Sequence, residues 1–152
     1  MGLADANSVG NVHGGTVMKL CDEAAGLAAI KHSRCRVVTA GMDRMNFLVP
    51  IRVAELVTFS ASVNAAWRTS MEVGVRVESE HVRTREVAHT STAYLTMVAL
   101  DEDGRPTAVP PLAPETPDEH RRAQEAELRR NNRLAEREAI LQGRGAGAVG
   151  QR

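Results

Sequence analysis

The sequence predicts an α+β fold, an antiparallel sheet wrapped around one long central helix, and three observations carry that reading. The run from Gly15 to about His32, GTVMKLCDEAAGLAAIKH, is Ala-rich and apolar on nearly every side. That is the pattern of a buried helix roughly 27 Å long at 1.5 Å per residue. Four strand-like stretches then follow one another, Arg36 to Leu48, Leu56 to Trp67, Ser70 to Val82 and Val87 to Leu100. With no helix between them there is no parallel crossover, so the strands are expected to pair antiparallel. Finally, 152 residues suit one domain around one core.

Taken in chain order, residues 1–14 form a turn-rich loop with Asp5, Asn7, Ser8 and Asn11 and three glycines at positions 2, 10 and 14, and with no periodicity. The helix follows. In Ser70 to Val82, Met71, Val73, Val75 and Val77 alternate with Glu72, Arg76 and Glu78, which predicts one buried and one wet face. Leu56 to Trp67 repeats that period of two, and β-branched content bounded by turns argues for the other two strands. Five prolines between 106 and 117 make an extended link, after which Thr116, Pro117 and Glu119 supply an N-cap, an N1 proline and a capping-box glutamate. A charged, solvated helix to about Gln142 is expected there. The domain reading is 1–112 for the sheet and helix, 113–142 for the linker and charged helix, and 143–152 as a disordered tail whose GxGxG spacing lacks the strand and helix of a dinucleotide fingerprint.

Composition excludes several functions. Lys plus Arg and Asp plus Glu number 19 each, so no basic surface points to nucleic acid or an acidic membrane. Four aromatic residues are too few for a single-strand stacking platform, which leaves an aliphatic core. There is no apolar h-region at the start and no stretch of about 18 apolar residues, so no membrane role is expected and the cytoplasm is the default location. Cys21 and Cys35 lack zinc spacing and read as free thiols; no metal is expected.

The chemistry is concentrated in residues 5–26, DANSVGNVHGGTVMKLCDEAAG. Gly14 and Gly15 sit where the loop enters the helix, where backbone N–H groups lack intrahelical partners and could stabilise a developing oxyanion. Tight packing and helix capping would also explain them. Asp22 is a carboxylate on an otherwise apolar helix, tolerated when paired or at a functional site. Its ordinary reading is a solvent stripe with Lys19 and Glu23, and Glu23 competes for any carboxylate role. Asn7 could close a turn, and His13 could act as a general base or as a cap. The other histidines lack ligand spacing, and no GxSxG nucleophile motif is present.

That run, followed by VVTAGMDRMNFLVPIRV, RTSMEVGVRV, YLTMVALDEDGRP and VPPLAPETPDE, resembles the hotdog-fold acyl-CoA thioesterases of the cytosolic acyl-CoA hydrolase type across about residues 5–140. The resemblance implies fatty acyl-CoA hydrolysis in lipid metabolism, with no cofactor because CoA belongs to the substrate. It implies that Asn7 and Asp22 are catalytic, Asp22 as general base or nucleophile, with Asn7 and the Gly15 N–H polarising the thioester. It places them together across a dimer interface, in a dimer or a trimer of dimers, a homohexamer. CoA contacts carry over to Ala40, Gly41 and Met42 and to Thr69, Ser70 and Met71, with Arg68 available to a phosphate. Members usually carry a strand before the Asn loop, and Met1 is only six residues from Asn7. The sheet is therefore expected to have one strand fewer, or the chain to begin late. Aryl-CoA or acyl-carrier thioesters are the alternative substrates, and a non-catalytic acyl-CoA binding or sensing protein is the alternative class.

Overall fold

The computed structural model describes residues 1–148. A 3-10 turn at Leu3–Asp5 leads into helix α1, Gly14–Ser33, and then strands β1 (Arg36–Met42), β2 (Asn46–Phe47), β3 (Leu56–Ala66), β4 (Ser70–Glu80) and β5 (Val87–Leu100). All pairings are antiparallel, in the order β1-β5-β4-β3, with β2 also on β5. The stretch expected as one strand over 36–48 is thus two. Its path breaks after Met42, where the Asp43 N–H donates to Tyr94 O at 2.9 Å.

Helix α1 lies on this sheet along one stripe. Val17, Cys21, Ala25 and Ala29 are fully or almost fully buried at the i, i+4 spacing that stacks side chains on one helix face. Against them pack Met71, Val73, Val75 and Val77 of β4 and Ala93, Leu95, Met97 and Ala99 of β5, the alternating apolar residues of both strands. Small alanines let the helix lie close to this surface, the arrangement that the hotdog resemblance implies. The helix is not buried all round, however: Leu27 is 70 % exposed and Ile30 46 %. A sheet of five strands covers one side of a helix and leaves the other open.

One wet face was expected along β4, and Glu72 departs from it. Glu72 has no exposed surface, and the Asn64 amide donates to its carboxylate at 3.2 Å. A buried carboxylate is tolerated where such donors satisfy it. Gly74 makes room for this pair, since a Cβ there would stand 2.6 Å from Asn64 Nδ2.

Residues Met1–Leu112 form one compact unit, and a second begins at Ala113. In the second, helix α2 spans Pro117–Ala148. Its capping box forms as the sequence predicts: the Glu119 N–H donates to Thr116 Oγ1 at 3.3 Å and the Thr116 N–H to Glu119 Oε2 at 3.0 Å. The helix continues beyond Gln142 to Ala148. The rest of the tail expected to be disordered, 149–152, lies outside the described residues. No described helix is long and apolar enough to cross a membrane.

Candidate active site

Two polar constellations flank α1, one at its start and one two turns along. The first is built by the loop before the helix. Asn7 exchanges backbone hydrogen bonds with its own turn, donating to Asn11 O at 2.7 Å and accepting from Gly10 N–H at 3.1 Å. Gly10 sits at φ +81°, a left-handed conformation in which glycine carries no Cβ penalty. Asn7 Oδ1 accepts from the Val9 N–H at 3.0 Å and the Asn11 N–H at 3.1 Å. Two donors on one atom fix which end of the amide is oxygen. The Nδ2 group is left pointing away from these bonds, on a half-buried residue that lines a cleft of about 230 Å³. Asn11, Val12, Gly14 and Val17 form the helix side of this cleft, and Phe47, Val49, Pro50 and Ile51 the other.

His13 is the N-cap of α1, and its Nδ1 accepts from the Gly15 N–H at 3.2 Å. This chooses between the two readings of His13 in favour of the cap. It also occupies the Gly15 amide, so that donor becomes available only when the exposed imidazole turns aside.

Asp22 builds the second constellation. It is half-buried on α1, and its Oδ1 accepts from Thr39 Oγ1 of β1 at 2.5 Å. Thr39 stands opposite Met97 in the β1–β5 register and lies 3.5 Å from its sulfur, so it faces the helix side of the sheet. Glu23, one residue on, turns outward and pairs with Lys19 at 3.7 Å, both well exposed. The solvent stripe is therefore Lys19 and Glu23, and Asp22 stands apart from it. Sequence reasoning missed Thr39. Its one signal is a hydroxyl inside the apolar run VVTAG.

Asn7 bonds within its own loop and Asp22 bonds to Thr39, so the two stand in separate constellations. Asp22 lies about 12 Å along the helix axis from Gly14 at 1.5 Å per residue, and it does not line the Asn7 cleft. Ala40, Gly41 and Met42 continue β1 just past Thr39, where the register breaks between Thr39 and Gly41 and makes Ala40 a bulge. Pairing on one side only leaves this strand as an open sheet edge. Thr69 and Ser70 form the β3–β4 turn, closed by Trp67 N–H donating to Ser70 O at 2.7 Å. Ser70 aligns with Val98, which aligns with Val38, so both predicted CoA segments lie at one end of the sheet, about 10 Å apart at two strand spacings. Met71 is the exception among them: the whole residue is buried, because the strand alternation turns its side chain toward α1 and its backbone lies between Ala66 and Met97 of the neighbouring strands.

Burial pushes the Cys21 thiol up to about 11, which makes it unreactive. Among the described residues no cluster of His, Cys, Asp and Glu could hold a metal.

Residues 9–86 match the family model of the thioesterase superfamily. The chain is 41 % identical over 130 residues to protein VdlD of Helicobacter pylori, covering 86 % of this chain and 73 % of that one. It is 37 % identical over 139 residues to the uncharacterized acyl-CoA thioester hydrolase YkhA of Bacillus subtilis, covering 90 % and 81 %. Among solved structures, an apo-hexameric acyl-CoA thioesterase superposes with a TM-score of 0.86 at 39 % identity, covering 90 % of this chain and 87 % of that one. The acyl-CoA hydrolase of Staphylococcus aureus in complex with butyryl-CoA, CoA and CoA disulfide superposes at 0.87 with 34 % identity, covering 97 % and 90 %. Structures of that hydrolase also exist with single alanine substitutions of an asparagine, a threonine and an aspartate.

Proposed function

The chain belongs to the thioesterase superfamily, and from that premise we propose that it hydrolyses fatty acyl-CoA to a free fatty acid and CoA. Asn7, Asp22 and Thr39 carry the reaction. The observation that supports this assignment is their spacing. The asparagine and aspartate substituted in the S. aureus hydrolase are fifteen residues apart and the threonine follows seventeen later, the intervals that separate Asn7, Asp22 and Thr39.

The chemistry follows from the groups. Asn7 Nδ2, oriented by the two bonds to its oxygen, donates to the thioester carbonyl and strengthens that bond as the oxygen becomes an oxyanion. The positive end of α1 and the Gly15 N–H, once released by His13, favour the same charge. The Asp22 carboxylate takes a proton from water as its oxygen attacks the carbonyl carbon. The tetrahedral oxyanion then collapses, the C–S bond breaks, and the proton on Asp22 passes to the departing CoA sulfur. Thr39 holds one carboxylate oxygen and leaves the other for water. Direct attack by Asp22 on the carbonyl would give the same products through an anhydride that water cleaves.

The axial offset of about 12 Å between Gly14 and Asp22 supports a site shared by two subunits, Asn7 from one and Asp22 from its partner. The exposed Leu27 and Ile30 and the open β1 edge support association, and the hexameric neighbour supports a dimer or a trimer of dimers. CoA then lies along Ala40, Gly41 and Met42 and the turn at Thr69 and Ser70, without reaching the fully buried Met71. Two free cysteines are in keeping with a cytoplasmic location, and the release of a fatty acid from its CoA thioester is a step of lipid metabolism.

The test is steady-state hydrolysis of a series of acyl-CoAs, with CoA release read by a thiol reagent. Turnover is expected for the wild type, with Asp22→Asn slower by about a hundredfold or more. A wild type inert on every acyl-CoA contradicts the reading.

A further inference from the structure

We infer that His32, in the last turn of α1, is a positioning residue for CoA: it pins a proline strap, residues 106–110, that holds the turn at Arg68 and Thr69 in place. The inference rests on the reading above that CoA meets this turn, with Arg68 available to its phosphates. His32 Nε2 lies 2.9 Å from Pro110 O, across 78 positions of sequence. A carbonyl can only accept, so Nε2 carries the proton and donates it. This bond ties the end of α1 to the segment that follows β5.

Backbone bonds build the strap. After β5 the chain turns back on itself, the Asp101 N–H donating to Arg105 O at 2.9 Å, and Pro106 bridges Leu100. The Thr107 N–H then donates to Ala99 O at 2.9 Å and the Val109 N–H to Arg68 O at 3.1 Å. Thr107 and Val109 are half-buried while Ala108 and Pro110 are exposed, the alternation of an extended segment. Val109 packs against the core. Prolines 106 and 110 fix φ at their own positions and keep the residue before each of them extended. A segment this stiff passes a restraint at Pro110 on to Val109, and so to the Arg68 carbonyl.

The β3–β4 turn is anchored from more than one side. The Trp67 N–H bond to Ser70 O is internal to the turn, and β5 adds the Ala99 N–H, which donates to Thr69 O at 3.0 Å. The Val109 bond to Arg68 O comes from the strap. The corner between α1 and β1 in turn holds the strap at both ends. Where it departs, the Arg36 guanidinium donates to Asp101 O and Glu102 O, each at 2.9 Å; where it ends, His32 donates to Pro110 O. His32 thus acts through the strap, fixing the residue whose side chain is offered to a phosphate and which adjoins Thr69.

The experiment compares butyryl-CoA with butyryl-N-acetylcysteamine, which keeps the thioester and the first amide of the carrier arm and lacks the phosphates and nucleotide. His32→Ala is expected to raise KM for butyryl-CoA about three- to tenfold, the worth of one hydrogen bond. Its kcat should stay within about twofold of wild type, and kcat/KM for the truncated thioester should not change. His32→Gln, whose amide can still donate to Pro110 O, is expected to restore most of the loss. Pro110→Gly, which loosens the strap and keeps the carbonyl, is expected to raise the same KM. Ser70→Ala is the direct control on the turn. A KM for butyryl-CoA that rises in Ser70→Ala and stays at the wild-type value in His32→Ala overturns the inference alone. An unchanged KM in both overturns the reading of the turn on which it rests. Equal losses on both substrates in His32→Ala also overturn it, because they place His32 in general stability instead of in CoA binding. The same split, read calorimetrically as the affinity for CoA against that for pantetheine, decides the matter even in a chain with no thioesterase activity.

Discussion

Asn7 spends its carbonyl oxygen on its own loop and keeps its amide for something outside that loop. Asp22 has a different economy: one carboxylate oxygen is held by Thr39. As a positioning residue Thr39 should move turnover less than the group it holds. Thr39→Ala is expected to lower kcat about tenfold with KM nearly unchanged, and Thr39→Ser to restore most of it. A Thr39→Ser variant no better than alanine contradicts a role through the hydroxyl. Cys21, one residue from Asp22, is silent for a physical reason. Its folded value of about 11 lies above the ordinary 9.0 of a thiol, so the folded state favours the neutral form. That contribution to stability is complete below pH 9 and is lost as pH rises toward 11. Iodoacetamide at pH 8 should therefore leave Cys21 unmodified in the folded protein, as mass spectrometry can check; labelling at the rate of a free thiol contradicts its burial. At this scale Asn7, Asp22 and Gly15 were legible as residue types in suggestive places. Thr39 was not, because its bond to Asp22 comes from β1 crossing α1, and the buried Met71 side chain shows the converse.

Among the elements, α1 and the two long strands β3 and β4 follow from periodicity, and β3 stops one residue short of the predicted Trp67 because Trp67 opens the tight turn to Ser70. The run over 36–48 was read as one strand because β-branched content carries no mark for a break that depends on bonding to β5. Glu72 was assigned to solvent because alternation reports which side a residue faces and not what covers that side. The start of α2, by contrast, was fully legible, since a capping box is a local device. The backbone N–H of Glu115 first, and then that of Thr116, hold the Glu119 carboxyl below its ordinary value. The contribution of this cap is present at neutral pH and is lost as pH falls through the carboxylate range. A carbon-detected NMR titration should place the Glu119 midpoint below that of a glutamate in an unstructured peptide. Equal midpoints contradict the box.

At the scale of the molecule, one chain folds a complete core around one stripe of α1. The helix stripe that faces the sheet is saturated with contacts, whereas Leu27 and Ile30 and the free edge of β1 look outward. The hotdog resemblance implies a shared site, and the proposed reaction makes that arrangement testable. Complementation tests it most directly. Asn7→Ala and Asp22→Asn are each expected to be slowed about a hundredfold or more. When the two inactive proteins are mixed under conditions that exchange subunits, a heterodimer carries one site with both native residues and one with neither. Recovery of about a quarter of wild-type turnover is the predicted result, since statistical exchange makes half of the dimers mixed and each of those has one of its two sites intact. No recovery despite exchange demonstrated by native mass spectrometry would contradict the shared site.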